Sequence, residues 1–237
     1  MLWGKKHVIV AASSVAVVLI VGVSVVGFRA YSADQKKVAA CAEVQRTEVV
    51  AAEGRAAALE GTGKMVAFIG DSYTQGMYLD DPLDAFPYEV ARAMGARPFV
   101  DAAGGTGYVN KGPCDDGPFT ARIEGVVGQT PDVLIIQAGI NDRGNDGAAS
   151  AIEKVMTAAE NVPTVYVIGP FETPASSGAP LDAISEAIES AAERHGFTYI
   201  DVSGWVFPLL SDQMHPTVEG HHEIAAKLTE RLAATLP

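Results

Sequence analysis

Basic side chains are scarce in this 237-residue sequence, with 17 Lys and Arg against 29 Asp and Glu and a formal net charge of −12. The imbalance sits in one part of the chain. Residues 1–63 hold 7 basic and 5 acidic side chains, whereas residues 64–237 hold 10 and 24. An acidic region of that size repels phosphate backbones, which argues against nucleic acid as a partner. Cysteine is nearly absent. The two present, Cys41 and Cys114, fit neither a zinc spacing nor a Cys-x-x-Cys redox motif. A disulfide between them and a pair of free thiols both stay open. No internal repeat is visible, and at 48% hydrophobic residues the chain can bury one substantial core but not comfortably two.

What the amino-terminal part does have is a long uncharged run. Residues 8–28 carry no Lys, Arg, Asp or Glu and follow Lys5 and Lys6. As a helix rising about 1.5 Å per residue, such a run spans roughly 31 Å, close to the hydrocarbon thickness of a bilayer. Its many β-branched residues would suit a strand in water, but in lipid an isolated segment must satisfy its own backbone and so be helical. Residues 1–29 are therefore expected to be a single transmembrane anchor. The alternative is a signal peptide, with secretion after cleavage, but the run is long for one and no clean Ala-x-Ala site follows it. The expected place is the cell membrane, with the larger part of the chain extracytoplasmic. Flanking charge does not settle orientation, since Arg29, Lys36 and Lys37 balance Lys5, Lys6 and the terminal amine. Val38-Ala39-Ala40-Cys41 resembles a lipoprotein cleavage box, yet a polar stretch with four charges separates it from the apolar run, which argues against lipidation. Residues 30–63 are rich in helix-forming residues and read as a helical stalk or linker, broken by Gly61-Thr62-Gly63, where the domain boundary is placed. The stalk could instead pack on the domain or form a coiled coil.

From Lys64 on, short apolar runs alternate with helical patterns. Residues 65–69, 98–100, 133–137, 164–168 and 198–202 read as strands; 84–94, 118–128, 147–160, 180–195 and 217–235 read as helices. That alternation argues for an α/β domain over 64–237, a three-layer, doubly wound parallel five-stranded sheet with helices on both faces. Ligands of such sheets bind at the carboxyl edge of the strands.

Three stretches put reactive groups at that edge. Val66-Ala67-Phe68-Ile69 runs into Gly70-Asp71-Ser72, delivering a hydroxyl beside a helix start. Leu134-Ile135-Ile136-Gln137 runs into Ala138-Gly139-Ile140-Asn141-Asp142, where the Asn141 amide can donate to an oxyanion. In Asp212-Gln213-Met214-His215-Pro216, an Asp three residues before a His can fold back onto Nδ1–H and leave Nε2 free to take a proton. Each stretch alone reads more simply as a turn or as unrelated surface residues. His221 and His222, in the following helix, read as surface or packing residues, and His7 and His195 carry no partner pattern.

Together with the Gly-rich loop at 104–107, these stretches resemble the SGNH hydrolases, the GDSL-type esterase family. The resemblance covers 64–237 and implies a flavodoxin-like sheet and ester hydrolysis through an acyl-enzyme, with no metal or organic cofactor. It implies Ser72 as nucleophile, His215 as general base and Asp212 as the group that orients His215. The oxyanion would be held by the N–H of Ser72, a second-block glycine N–H and the Asn141 amide. Gly105 is preferred as that glycine, with Gly107 next. Two departures are visible: Tyr73 replaces the Leu of the family name, and the second block, residues 100–108, lacks the Asn that often opens it and has three glycines. The Gly-x-Ser-x-Gly turn of α/β-hydrolases is absent, since Thr74 stands two residues after Ser72.

Tyr73, Tyr108, Ile140, Phe171 and Met214 lie near these motifs and could line an acyl pocket or pack the core. Residues 205–210 could form an apolar rim or cover the core. The leading expectation is a membrane-anchored serine esterase acting on short acyl or acetyl esters of lipid or envelope carbohydrate, a small-molecule or envelope partner. An acyltransferase using the same acyl-enzyme and a catalytically silent envelope-binding module are the rivals. Acceptor-dependent product formation separates the first, and the joint presence of Ser72, Asn141, Asp212 and His215 argues against the second.

Overall fold

The computed structural model describes residues 32–47, 63–176 and 181–234. Of its two compact units, Met1–Ala40 and Cys41–Pro237, the second holds the site. The expected membrane span at 8–28, residues 48–60 of the expected stalk and most of its breaking Gly-Thr-Gly lie outside the described residues. Among the described residues no helix is long and apolar enough to cross a membrane. Helix α1, residues 32–47, occupies the described part of the expected stalk.

Five strands follow: β1 (Met65–Gly70), β2 (Arg97–Ala102), β3 (Val133–Gln137), β4 (Thr164–Ile168) and β5 (Thr198–Ile200). All pair in parallel, in the order β2-β1-β3-β4-β5. Six helices accompany them: α2 (Ser72–Gln75), α3 (Phe86–Ala93), α4 (Phe119–Val127), α5 (Ala148–Ala159), α6 (Asp182–Arg194) and α7 (Val218–Ala233). The strands are apolar along their length because both faces are covered. Ala67 and Ile69 of β1 join a core with Ile123 of α4, Val155 of α5 and Ile188 of α6. Val66 and Phe68, pointing the other way, join a core with Phe86 and Val90 of α3 and Leu228 of α7. The sheet is thus the middle of three layers.

This topology locates the site. The chain leaves β1 toward β2 on one side, while β3 lies on the other, so β1 sits at the switch point where loops splay apart. Gly70 at the end of β1 is level with Ala102 of β2 and Gln137 of β3. The loops after all three strands therefore start side by side.

Cys41 and Cys114 form a disulfide, which settles the thiol question and leaves Cys41 no free sulfur for a lipid. It joins α1 to the loop before α4. Val44 and Thr47, one helical turn apart, are buried, so residues 41–47 pack on the domain.

Candidate active site

The turn that carries Ser72 is forced by sterics. A Cβ at Gly70 would lie 2.0 Å from Thr74 Oγ1, so only glycine lets the chain double back there. Asp71 then caps α2, its Oδ1 accepting the Tyr73 N–H at 3.0 Å, and Gly76 ends the helix in the left-handed conformation with φ 71°. Ser72 is left at the first helical position. Its N–H has no acceptor among the described residues.

The turn is wired inward by buried polar groups. Thr74 Oγ1 donates to Gln137 Oε1 at 2.7 Å, and Gln137 Nε2 donates to Asp71 Oδ2 at 3.3 Å. Burial pushes the Asp71 carboxyl up to about 7, against the lowering effect of the Tyr73 and Gln137 hydrogen bonds. Gln75 reaches two other segments: its Oε1 accepts the Gly104 N–H at 2.9 Å and its Nε2 donates to Val44 O at 3.2 Å.

After β2, the Gly-rich loop crosses beside the end of β1 and α2, with Gly104 bonded to Gln75 and the Thr106 hydroxyl facing Gly70 O. Asp101, near the end of β2, forms an ion pair with Arg122, whose Nη2 also donates to Thr106 Oγ1 at 2.9 Å. The Gly107 N–H donates to Asn110 O at 3.0 Å, and a Cβ at Gly107 would strike the Asp142 carboxylate at 2.2 Å. Gly105, at φ 75°, keeps an N–H without an acceptor among the described residues.

Two residues past the end of β3 comes Gly139, whose φ of 125° only glycine adopts readily, and the next turn brings Asn141 toward the Gly-rich loop. Asn141 Nδ2 donates one hydrogen to Thr106 O at 2.9 Å; the other is unassigned. Asp142 accepts from the N–H groups of Tyr108 at 2.9 Å, Val109 at 3.0 Å and Asn110 at 3.2 Å, clasping the Gly-rich loop to the end of β3. Burial raises its carboxyl above the usual range, with those N–H groups opposing.

The third loop is closed by an antiparallel bridge between Leu209 and Pro216 and by the Leu210 N–H donating to His215 O at 2.8 Å. Inside it, Asp212 Oδ1 accepts the N–H groups of Met214 and His215, each at 3.0 Å. The His215 Nδ1–H donates to Asp212 Oδ2 at 2.6 Å, and the Ser72 Oγ–H donates to His215 Nε2 at 3.0 Å. Burial alone would raise the Asp212 carboxyl, but the hydrogen bonds from the His215 ring and the two N–H groups outweigh it and leave it below the usual range. Thr217 then caps α7 through the Gly220 N–H at 3.1 Å.

Of the residues expected near an acyl pocket, four are core. Tyr73 is fully buried, stacked on Phe171 at 5.0 Å with its hydroxyl donating to Met214 O at 2.6 Å. Tyr108 packs on Phe119 on the other side of the sheet, and Ile140 is buried with it. The physical reason is that a sheet covered on both faces draws the aromatic residues at its edge inward. Met214 alone of the five is only half-buried. Phe207 is likewise buried, edge-on to Phe171, so residues 205–210 mostly cover the core. His221 is buried against Phe86, where burial takes its imidazole down to about 3, and His195 lies between Glu153 and Glu160. Gln75 and Asp142 are polar groups that sequence reasoning did not single out. Asp142 had a signal in its place directly after Asn141; Gln75 had none, because its partners lie 29 and 31 residues away.

Solved structures share this fold. The carbohydrate acetylesterase Est24 from Sinorhizobium meliloti aligns with a TM-score of 0.62 at 15% identity, over 73% of this chain and 100% of that one. An aryl esterase of M. smegmatis gives 0.60 at 16%, over 73% and 100%. Axe2, an acetylxylan esterase from Geobacillus stearothermophilus, gives 0.56 at 21%, over 73% and 96%. No curated protein matches the sequence. The model of the GDSL-like lipase/acylhydrolase family matches residues 68–223, a span that opens within β1, closes within α7 and takes in every loop that meets at Ser72; the chain belongs to this family of ester-hydrolysing enzymes.

Proposed function

We propose that the protein is a serine esterase for short acyl esters, with Ser72 as nucleophile, His215 as general base and Asp212 as the group that holds His215 in register. The observation that carries this reading is the unbroken line from Asp212 Oδ2 through the His215 ring to Ser72 Oγ, at 2.6 and 3.0 Å. A serine hydroxyl is a poor nucleophile until an imidazole takes its proton, and an ionised carboxylate on Nδ1–H both fixes the tautomer and stabilises the imidazolium that results. As Oγ attacks, the ester carbonyl oxygen gains charge. The N–H groups of Ser72 and Gly105 and the remaining Asn141 amide hydrogen are the donors assigned to it. Gly107 is not assigned, since its N–H is already given to Asn110.

Short acyl groups follow from the burial of Tyr73, Tyr108, Ile140 and Phe171, whose faces are spent on the core rather than offered to an acyl chain. The acetylesterases among the structural neighbours are consistent with acetyl esters, and an acetylated envelope carbohydrate is the substrate class proposed. We further propose residues 1–29 as a membrane anchor and 64–237 as the hydrolase domain, held outside the cytoplasm. The uncharged run at 8–28 supports the anchor. The disulfide supports the compartment, since such bonds persist where the surroundings are oxidising.

The test is a panel of esters from acetyl to octanoyl presented to the full chain and to Ser72→Ala. Acetyl esters should turn over fastest, and the variant should lose activity to background. Parent-like hydrolysis by Ser72→Ala would remove the nucleophile assignment.

A further inference from the structure

Tyr78 departs from its surroundings in two ways. Its backbone takes φ 71°, a left-handed conformation that bulky side chains seldom adopt. Its side chain is 44% exposed, while Met77 and Leu79 on either side are 6% and 3% exposed. The turn is fastened around it. The Leu79 N–H donates to Gly76 O at 3.1 Å, and Leu79 O accepts from Arg46 Nη2 at 3.2 Å. With both neighbours anchored inward, a left-handed residue between them throws its ring outward, and strain held in this way next to reacting groups is a pointer to function. The ring meets the His215 imidazole at 4.9 Å between centroids, with planes at 75°. Burial first, then the charges of Asp212 and Glu43, raise the Tyr78 hydroxyl, so it keeps its proton as a donor.

Taking Ser72 and His215 in the roles proposed above, the chemistry fixes which half of the ester lies here. The carbonyl oxygen faces the donors on Ser72, Gly105 and Asn141. In acylation the Oγ–C bond forms and the bond from the acyl carbon to the alcohol oxygen breaks. Its electron pair stays on the alcohol oxygen, which takes the proton that His215 Nε2 received from Ser72. The alcohol half therefore departs past the imidazole, and Tyr78 is the exposed ring that borders it.

We propose that Tyr78 is the wall of the leaving-group subsite and selects esters whose alcohol carries a flat or pyranose ring over open-chain alcohols. An aromatic face with a polar tip suits such a ring, stacking on its C–H face while the hydroxyl reaches a ring substituent.

The experiment compares acetyl esters of phenol, of a pyranoside and of ethanol, then an acyl series at fixed alcohol, on the full chain and on Tyr78→Ala and Tyr78→Phe. Tyr78→Gly, which accepts the left-handed backbone without strain, serves if alanine disturbs the turn. The ratio of kcat/KM for ring over ethyl acetate should fall about three- to tenfold in Tyr78→Ala, the worth of one aromatic contact. Tyr78→Phe should restore most of that ratio, and the acyl-length profile should be unchanged in every variant. An equal loss for all three alcohols, or a change that follows acyl length, overturns the subsite while leaving Ser72 and His215 in place. Activity surviving in Ser72→Ala overturns both.

Discussion

Two aspartates serve the same serine from opposite surroundings. Asp71, adjacent to Ser72 in the chain, is wholly buried in the α2 turn, with its carboxyl raised to about 7 by that burial. Asp212, 140 positions beyond Ser72, sits in a half-open loop with a side chain 39% exposed, and its carboxyl lies below the usual range. Nearness in sequence to Ser72 is therefore no guide to which acid is hydrogen-bonded to the His215 ring. The turn that carries Ser72 is built like a core, with Asp71, Ser72, Thr74 and Gln75 all buried, and the turn that carries His215 is held by its own backbone hydrogen bonds. The Asp71 carboxyl, raised by burial, is spent on capping a helix and accepting from an amide. A carboxylate that stays charged is what a protonated histidine needs.

Exchanging the charges breaks the comparison most severely. Asp212→Asn presents an amide to Nδ1 and favours the wrong tautomer, and kcat should fall about 10³- to 10⁴-fold with KM little changed. Steady-state kinetics on an acetyl ester check this, and a loss under tenfold would mean that His215 needs no carboxylate. Asn141→Ala tests the neighbouring edge, with an expected fall in kcat of about 10²- to 10³-fold for one lost oxyanion donor. A rise in KM alone would instead make Asn141 a ground-state contact.

Asp71→Asn sharpens the contrast through stability. The unfolded chain releases the Asp71 proton near 3.8, while the fold keeps it until about 7. Between these values the native state binds the extra proton, so the contribution is complete below the lower value and is lost as pH rises through the upper one. Relative to the parent, Asp71→Asn should gain on the order of 3 kcal/mol between pH 5 and pH 8 in denaturant unfolding. A gap that does not widen with pH would place a charged Asp71 in the fold.

Much of this was legible because strand and helix periods are local. The strand at 133–137 and that at 164–168 were bounded as the structure has them, and the helices differ by one or two residues at their ends. Strand β5 stops at Ile200 rather than Val202, because only three residues pair with β4 at the sheet's edge. The Asp212–His215 pair could be read from spacing, since one turn joins them. Burial could not. Tyr73, Tyr108, Ile140 and Phe171 have the composition of a pocket and the surroundings of a core, and that choice is made by elements distant in sequence. The pairing of Cys41 with Cys114 was hidden for the same reason, as 73 positions separate them.

Residues 41–47 lie outside the span that the family resemblance covers, yet they pack against the α2 turn and the start of the Gly-rich loop. Val44 Cγ2 lies 2.9 Å from where a Cβ on Gly104 would be, its carbonyl receives Gln75 Nε2, and Gln75 in turn holds the Gly104 N–H one residue before Gly105. A chain trimmed to begin at residue 64 would strand the buried Gln75 amide, open a gap beside the Gly-rich loop and leave Cys114 a bare thiol. The carboxyl-terminal turns of what looks like a tether thus belong to the same compact unit as the sheet.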